Sequence, residues 1–131
     1  HAEDYEMTAD EETKMHEEFG TTMITDFPEL TSPFWNMSRN ADGKTAKKID
    51  VILGGMETIG SAERSCDVDM MRDTFHSITD GAYSKLLYSL FSKERVEAEL
   101  EKFLEFDFFP RVGGGIGMTR MIAALEKHWK D

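Results

Sequence analysis

Four of the five residues from Gly113 to Gly117 are glycine, and the run leads directly into Met118-Thr119-Arg120 and the apolar positions Met121, Ile122 and Leu125. Few folds tolerate such a segment. Residues without Cβ let another backbone, or a ligand, approach very closely. The pattern predicts a glycine-rich strand over 111–117 that feeds a last helix over 118–129. It is not a dinucleotide fingerprint, because the spacing is wrong and no strand–helix–strand unit with a later acidic residue follows. It is not a Walker loop, since no Gly-Lys-Ser/Thr occurs. Two readings stay open at this point. One is a tight glycine turn that packs a helix on a sheet. The other is a bare surface for a flat ligand, on which the Arg120 guanidinium can stack.

The preceding chain reads as alternating elements. Thr8 and Glu11 form a possible capping box for a helix over 8–19, which Gly20 closes. Thr21 to Phe27 is β-branched and aromatic and predicts a strand. Pro28 and Pro33 bracket a loop, Phe34 to Met37 is the next candidate strand, and Asn40 to Gly43 is a turn signal. Ile49 to Leu53 is a clear strand, interrupted by Gly54-Gly55 and continued by Met56 to Ile59. The middle is helical: Val68, Met71 and Phe75, then Leu86, Leu87, Leu90 and Phe91, fall at helical spacing. Ser92 can cap a further helix to about Phe106, with Val96, Leu100, Phe103 and Leu104 on one face. This order predicts a single α+β domain over 1–131, an antiparallel sheet flanked by helices.

Charge narrows the function classes. Asp plus Glu is 26 and Lys plus Arg is 15, a formal net charge of −11. A whole-surface nucleic-acid binder is disfavoured, because phosphate contacts need clustered cations. Asp10, Glu11, Glu12, Glu17 and Glu18 read as a solvated helix face. No apolar run approaches the roughly 20 residues of a membrane helix, and the start His1-Ala2-Glu3-Asp4 lacks the features of a signal peptide. The lone Cys66 excludes an internal disulfide framework and fits a reducing compartment, so a cytoplasmic location is expected. A chain that starts with His is expected to be a processed product, an excised domain or a piece of something longer.

Three groups can carry chemistry. Asp50 and Glu57 are seven apart and flank Gly54-Gly55. On one regular strand this odd spacing would put them on opposite faces, whereas a bulge at the glycine pair brings them to one side. Two converging carboxylates suit Mg²⁺ carrying nucleotide phosphates; as isolated strand residues they would simply face solvent. Arg64 lies seven beyond Glu57 and can grip a carboxylate in two-pronged fashion, or form a salt bridge to Glu63 or Asp67. Trp35 and Asn36 can line a pocket, although a buried Trp that needs one partner for its N–H is the plainer reading. The four histidines show no metal-ligand spacing, and the nine methionines look like core filler.

Together these segments resemble the catalytic domain of class II aminoacyl-tRNA synthetases, in the aspartyl/asparaginyl branch. Ile24-Thr25-Asp26-Phe27-Pro28 followed by Pro33-Phe34-Trp35-Asn36-Met37 is similar to that branch's Val-Thr-Asp-Tyr-Pro and Pro-Phe-Tyr-Thr-Met. Asp50 through Gly55-Met56-Glu57 to Arg64 is similar to its Asp-Leu, Gly-Leu-Glu and terminal Arg pattern, and Gly113 to Arg120 to class II motif 3. Gly-Gly-Gly-Ile-Gly before Met-Thr-Arg, in place of Gly-Phe-Gly-Leu-Gly, and Trp-Asn in place of Tyr-Thr tilt the likeness. They point toward the ammonia-dependent asparagine synthetases of archaeal type that are related to asparaginyl-tRNA synthetase.

The resemblance implies a class II synthetase-like core in part, with ATP and Mg²⁺. It implies that Asp50 and Glu57 hold the metal and that Arg64 grips a carboxylate of aspartate. Arg120 would stack on adenine, with Gly115 and Gly117 allowing close approach. Ser61 sits one place from where the family often has a serine near the metal, Gly60 taking that place, and Ser61, Trp35 and Asn36 are expected at the substrate. The implied reaction converts aspartate to asparagine through an aspartyl adenylate, with ammonia as acceptor, tRNA not expected as a partner, and a homodimer expected in the full-length protein. Motifs 1 and 2 are not recognisable, so the chain is expected to be the carboxy-terminal part of a catalytic domain. Two alternatives remain: the same segment of an asparaginyl- or aspartyl-tRNA synthetase, and a non-catalytic ATP or amino-acid binding module.

Overall fold

A computed structural model of the chain describes residues 7–31 and 33–129. The acidic start His1 to Asp4 lies outside them.

The first helix, α1 (Ala9–Phe19), begins as its sequence dictates. Thr8 Oγ1 accepts from the Glu11 amide at 3.3 Å while Glu11 Oε2 accepts from the Thr8 amide at 2.8 Å, a reciprocal capping box. Four strands follow in sequence and in space: β1 (Thr22–Pro28), β2 (Thr45–Leu53), β3 (Met56–Arg64) and β4 (Arg111–Ile116), paired antiparallel in the order β1-β2-β3-β4. Gly54 and Gly55, at φ +60° and +90°, form the two-residue turn between β2 and β3. A tight antiparallel hairpin needs such left-handed positions.

Three helices separate β3 from β4: α2 (Val68–Ser77), α3 (Ala82–Phe91) and α4 (Lys93–Leu104). Their inner faces meet in a core of Met71, Phe75, Val96, Leu100 and Leu104, and Trp35 from the β1–β2 connection plugs into it. The indole stands edge-on to Phe75 at 5.4 Å and to Phe103 at 5.7 Å, a favoured aromatic arrangement. The last helix, α5 (Met118–His128), follows β4 and packs with α1 against the β2–β3 hairpin.

Several boundaries differ from expectation. Phe34 to Met37 is a turn, not a strand, and its backbone meets the sheet through an isolated bridge from Met37 to Arg64. Arg39 is the cause: its guanidinium donates to the carbonyls of Pro33, Phe34 and Met37 at 3.0, 3.4 and 2.7 Å, folding this segment around itself. β2 starts at Thr45, four residues early, and β3 runs five beyond Ile59 to Arg64. Gly60, Ser61 and Ala62 have weak strand propensity alone, but pairing on both sides holds them extended. In α3, Leu86, Leu90 and Phe91 are exposed, although their spacing predicts burial.

Candidate functional site

The functional side chains gather on one face of the sheet, and register places them there. In β2, Ala46, Lys48, Asp50 and Ile52 alternate onto this face. The tight hairpin puts Glu57 opposite Ile52 and therefore beside Asp50. Next, one extra residue enters β3: Val51 pairs with Ile59, whereas Ile52 pairs with Glu57, so Thr58 is a bulge. The bulge reverses the alternation beyond it. Asp50 then faces Gly60 and Lys48 faces Ala62, which brings Gly60, Ala62 and Arg64 to the face that holds the carboxylates. The expected bulge exists, but at Thr58, while the glycine pair is the turn.

The same reversal removes Ser61. It pairs with Ile49 and Gly114 on the opposite face, in a separate groove with Lys47 and Val112, and it does not meet Asp50 or Glu57. Trp35 is also elsewhere, in the helical core, and its indole N–H has no partner among the described residues. Asn36, its neighbour, turns the other way, and its Oδ1 accepts from Arg64 Nη1 at 3.2 Å.

Asp50 is 5% exposed. One oxygen, Oδ2, receives the Lys48 ammonium at 2.6 Å, and the other, Oδ1, is buried without a protein partner. A Cβ built on Gly60 would lie 3.4 Å from that orphan oxygen and 3.0 Å from Glu57 Oε1. Both carboxylates thus share the space that glycine leaves above β3. Burial, then the adjacent Asp50 charge, hold the Glu57 carboxyl above its ordinary range, against the pull of Lys48 and Arg120. A buried acceptor with no donor is costly, and a like-charged pair around it calls for a cation. Among the described residues no three His, Cys, Asp or Glu side chains form a metal cluster. The donor set fits a hard cation held by two carboxylates and completed by phosphate oxygens or water, as Mg²⁺ commonly is.

Around the pair lies a cavity of about 310 Å³, lined among others by Glu12, Phe27, Phe34 and Lys48, large enough for a small metabolite. Glu12 belongs to the helix face read as solvated, yet its Oε2 accepts from the Glu57 amide at 3.1 Å and so ties α1 to the site. The helical spacing of Glu12 gives no hint of this.

The glycine run continues the face onto β4, where Gly115 pairs with Gly60 and Gly113 with Ala62. A Cβ at Gly115 would meet nothing within 4 Å, so this surface is open. At Gly113 a Cβ would stand 2.8 Å from Arg64 Nε, and at Gly114, on the opposite face, 2.7 Å from both the Gly60 carbonyl and Ser61 Cβ. Arg64 Nη2 donates to the Gly113 carbonyl at 3.2 Å, so neither expected salt bridge, to Glu63 or Asp67, forms. Gly117 starts α5, and its amide donates to the Thr58 carbonyl at 2.8 Å. A Cβ there would make ordinary contacts of 3.5 Å with Arg120; the requirement for glycine falls on Gly113 and Gly114 rather than Gly117. Arg120, one turn on, donates from Nη1 to the Glu57 carbonyl at 2.7 Å. The face therefore carries a pocket holding two carboxylates and a lysine, an open glycine floor with an exposed arginine beside it, and a second arginine fixed further along β3.

Known proteins share this architecture. The sequence profile of the tRNA synthetases class II (D, K and N) matches residues 3–129. No curated protein matches the chain by sequence. Among solved structures, asparaginyl-tRNA synthetase from Pyrococcus horikoshii superposes with a TM-score of 0.71 at 21% identity, covering 97% of this chain and 28% of its own. Asparaginyl-tRNA synthetase from Entamoeba histolytica in complex with asparaginyl-adenylate gives 0.71 at 16% identity, covering 95% and 27%. Aspartyl tRNA synthetase from the same organism gives 0.66 at 18%, covering 95% and 24%. The chain thus spans about a quarter of the length of each of these structures.

Proposed function

Because the chain belongs to the tRNA synthetases class II (D, K and N), we propose that it carries the carboxy-terminal part of a catalytic domain that activates aspartate with ATP and passes it to ammonia. The observation that carries this reading is the shared face. The tight hairpin sets Glu57 beside Asp50, and the bulge at Thr58 turns Arg64 to the same face beside the Gly115 floor, an arrangement that suits a nucleoside triphosphate, a cation and a carboxylate.

Asp50 and Glu57 would hold Mg²⁺, which when bound would supply charge neutralisation on the phosphates. The base lies against the open floor at Gly115, with the Arg120 guanidinium beside it. Arg64, braced by Asn36 and the Gly113 carbonyl, grips the α-carboxylate of aspartate through paired N–H donors. The side-chain carboxylate then attacks the α-phosphorus; a P–O bond forms, and pyrophosphate leaves with the electrons of the bond it breaks. Ammonia attacks the resulting acyl carbon, AMP departs, and the nitrogen loses a proton to give asparagine. Cationic side chains lower the barrier by facing the charge that builds on phosphate. The reaction needs no nucleic acid, which accords with the net charge of −11. In the full-length protein this unit works in a homodimer in the cytoplasm.

A second reading is favoured by the solved structures named above, all tRNA synthetases: the same face activates an α-carboxylate and tRNA is the acceptor. The two readings separate on the acceptor. The purified full-length protein that carries this segment, given Mg-ATP and aspartate, is expected to yield asparagine and AMP in proportion to added ammonium, and Asp50→Asn to abolish both products. AMP formation that ignores ammonium and requires tRNA would replace the first reading by the second.

A further inference from the structure

The lysine at the mouth of the carboxylate pair has no role in the reaction just described. Lys48 Nζ sits 2.6 Å from Asp50 Oδ2 and 3.9 Å from the centroid of the Phe27 ring, with its side chain 26% exposed. It is thus gripped from two sides. Its bond to Oδ2 leaves Oδ1 as the free oxygen, and that oxygen shares the space above Gly60 with Glu57 Oε1. The pocket is therefore oriented for a cation but already holds one unit of positive charge next to it. Three carboxylates, Glu12, Asp50 and Glu57, line the cavity together with this ammonium, and Arg120 is the other cation that acts on Glu57.

We propose that Lys48 makes this pocket select a divalent cation that arrives carrying phosphate over the bare ion. The inference rests on the assignment of Asp50 and Glu57 as cation ligands. A bare divalent ion meets repulsion from the ammonium and finds one oxygen of Asp50 already engaged. A cation bound to a polyphosphate brings negative charge, which the same ammonium attracts; repulsion becomes a further contact. Phe27 gives the lysine a place to stay while it exchanges one anionic partner for another. Lys48 is in this sense a specificity residue that prevents the site from filling before the nucleotide comes.

The test titrates the purified chain with Mn²⁺ alone and with Mn-ATP, reading bound manganese by electron paramagnetic resonance and following the fold by circular dichroism. Wild type is expected to bind Mn-ATP well and Mn²⁺ poorly. Lys48→Met is expected to bind Mn²⁺ alone at least tenfold tighter and Mn-ATP no tighter than wild type, while Lys48→Arg keeps the wild-type preference. Lys48→Gln is the substitute should the methionine variant lose its fold. An unchanged or weakened affinity for Mn²⁺ alone in the neutral variant, with Mn-ATP still bound through Asp50, overturns the role of Lys48 and leaves the site assignment standing. Mn-ATP binding that Asp50→Asn does not weaken, or no such binding at all, overturns the assignment and this inference with it.

Discussion

A methyl group at Gly114 would stand 2.7 Å from a backbone oxygen, whereas one at Gly115 would stand in open space. Adjacent glycines in one strand therefore do different things. Gly114→Ala forces β3 and β4 apart and is expected to lower stability by at least about 1–3 kcal/mol, read as a drop in thermal midpoint. Gly115→Ala leaves the midpoint within error but places a methyl on the open floor, and nucleotide affinity should fall at least tenfold. Arg64 yields a similar separation. Its guanidinium is fixed by Asn36 Oδ1 and the Gly113 carbonyl, so Arg64→Lys loses the two-pronged grip. The expected result is aspartate affinity weakened at least tenfold in calorimetry, with ATP affinity nearly unchanged. Part of this was legible residue by residue. Asp50, Glu57, Arg64 and Gly115 stand on one face, which spacing alone did not say: the odd interval from Asp50 to Glu57 needed a bulge to bring them together, and Gly115 was singled out by family resemblance. Ser61 stands on the other face, because the bulge at Thr58 is a property of register between two strands and leaves no mark in the composition of either.

Among the elements, the helical layer has its own lock. His76 of α2 faces two acceptors, the Arg72 carbonyl at Nδ1, 2.8 Å away, and the Glu97 carboxylate of α4 at Nε2, 2.9 Å away. Tyr88 of α3 donates its hydroxyl to the same Glu97 oxygen. Two acceptors on one imidazole favour the doubly protonated ring. Burial pushes His76 down, but the Glu97 and Arg72 oxygens outweigh it and the net shift is upward. For Glu97, burial pushes up while Tyr88 and His76 outweigh it, and the net shift is downward. A raised histidine contributes stability that is complete below its ordinary value near 6.5 and lost as pH rises through the raised one. A lowered carboxylate contributes stability that is present above its ordinary value and lost as pH falls through the lowered one. The pair is thus strongest in mildly acidic solution. Since both side chains are about a third exposed, the effect is less than about 1 kcal/mol. The thermal midpoint should fall from about pH 6 to about pH 8, and His76→Gln should flatten that fall. Trp35→Ala, which empties the middle of the same layer, should cost about 3–5 kcal/mol at every pH. Helix starts at Thr8 and Ser92 were readable from capping residues alone; the exposure of Leu86 and Leu90 was not, since spacing says which side chains share a face but not what that face meets.

At the scale of the molecule, the described residues form a four-stranded antiparallel sheet and five α-helices, with one polar face that holds a pair of carboxylates at one place and an arginine at another. Among the described residues no helix is long and apolar enough to cross a membrane. The helices and the four strands were legible because each depends on local pattern, with Phe34 to Met37 wrongly added as a further strand. The chemistry-bearing segments were singled out by family resemblance, their spacing alone leaving plainer readings open. Lys48 and Glu12 were not legible, because only folding brings them to the carboxylates. The central claim is that this face joins a carboxylate to the α-phosphate of ATP, and the most direct test does not involve any acceptor. Exchange of labelled pyrophosphate into ATP should require aspartate and Mg²⁺ together and should disappear in Asp50→Asn. Tight ATP binding with no aspartate-dependent exchange would contradict the claim and leave a nucleotide-binding module in place of a ligase.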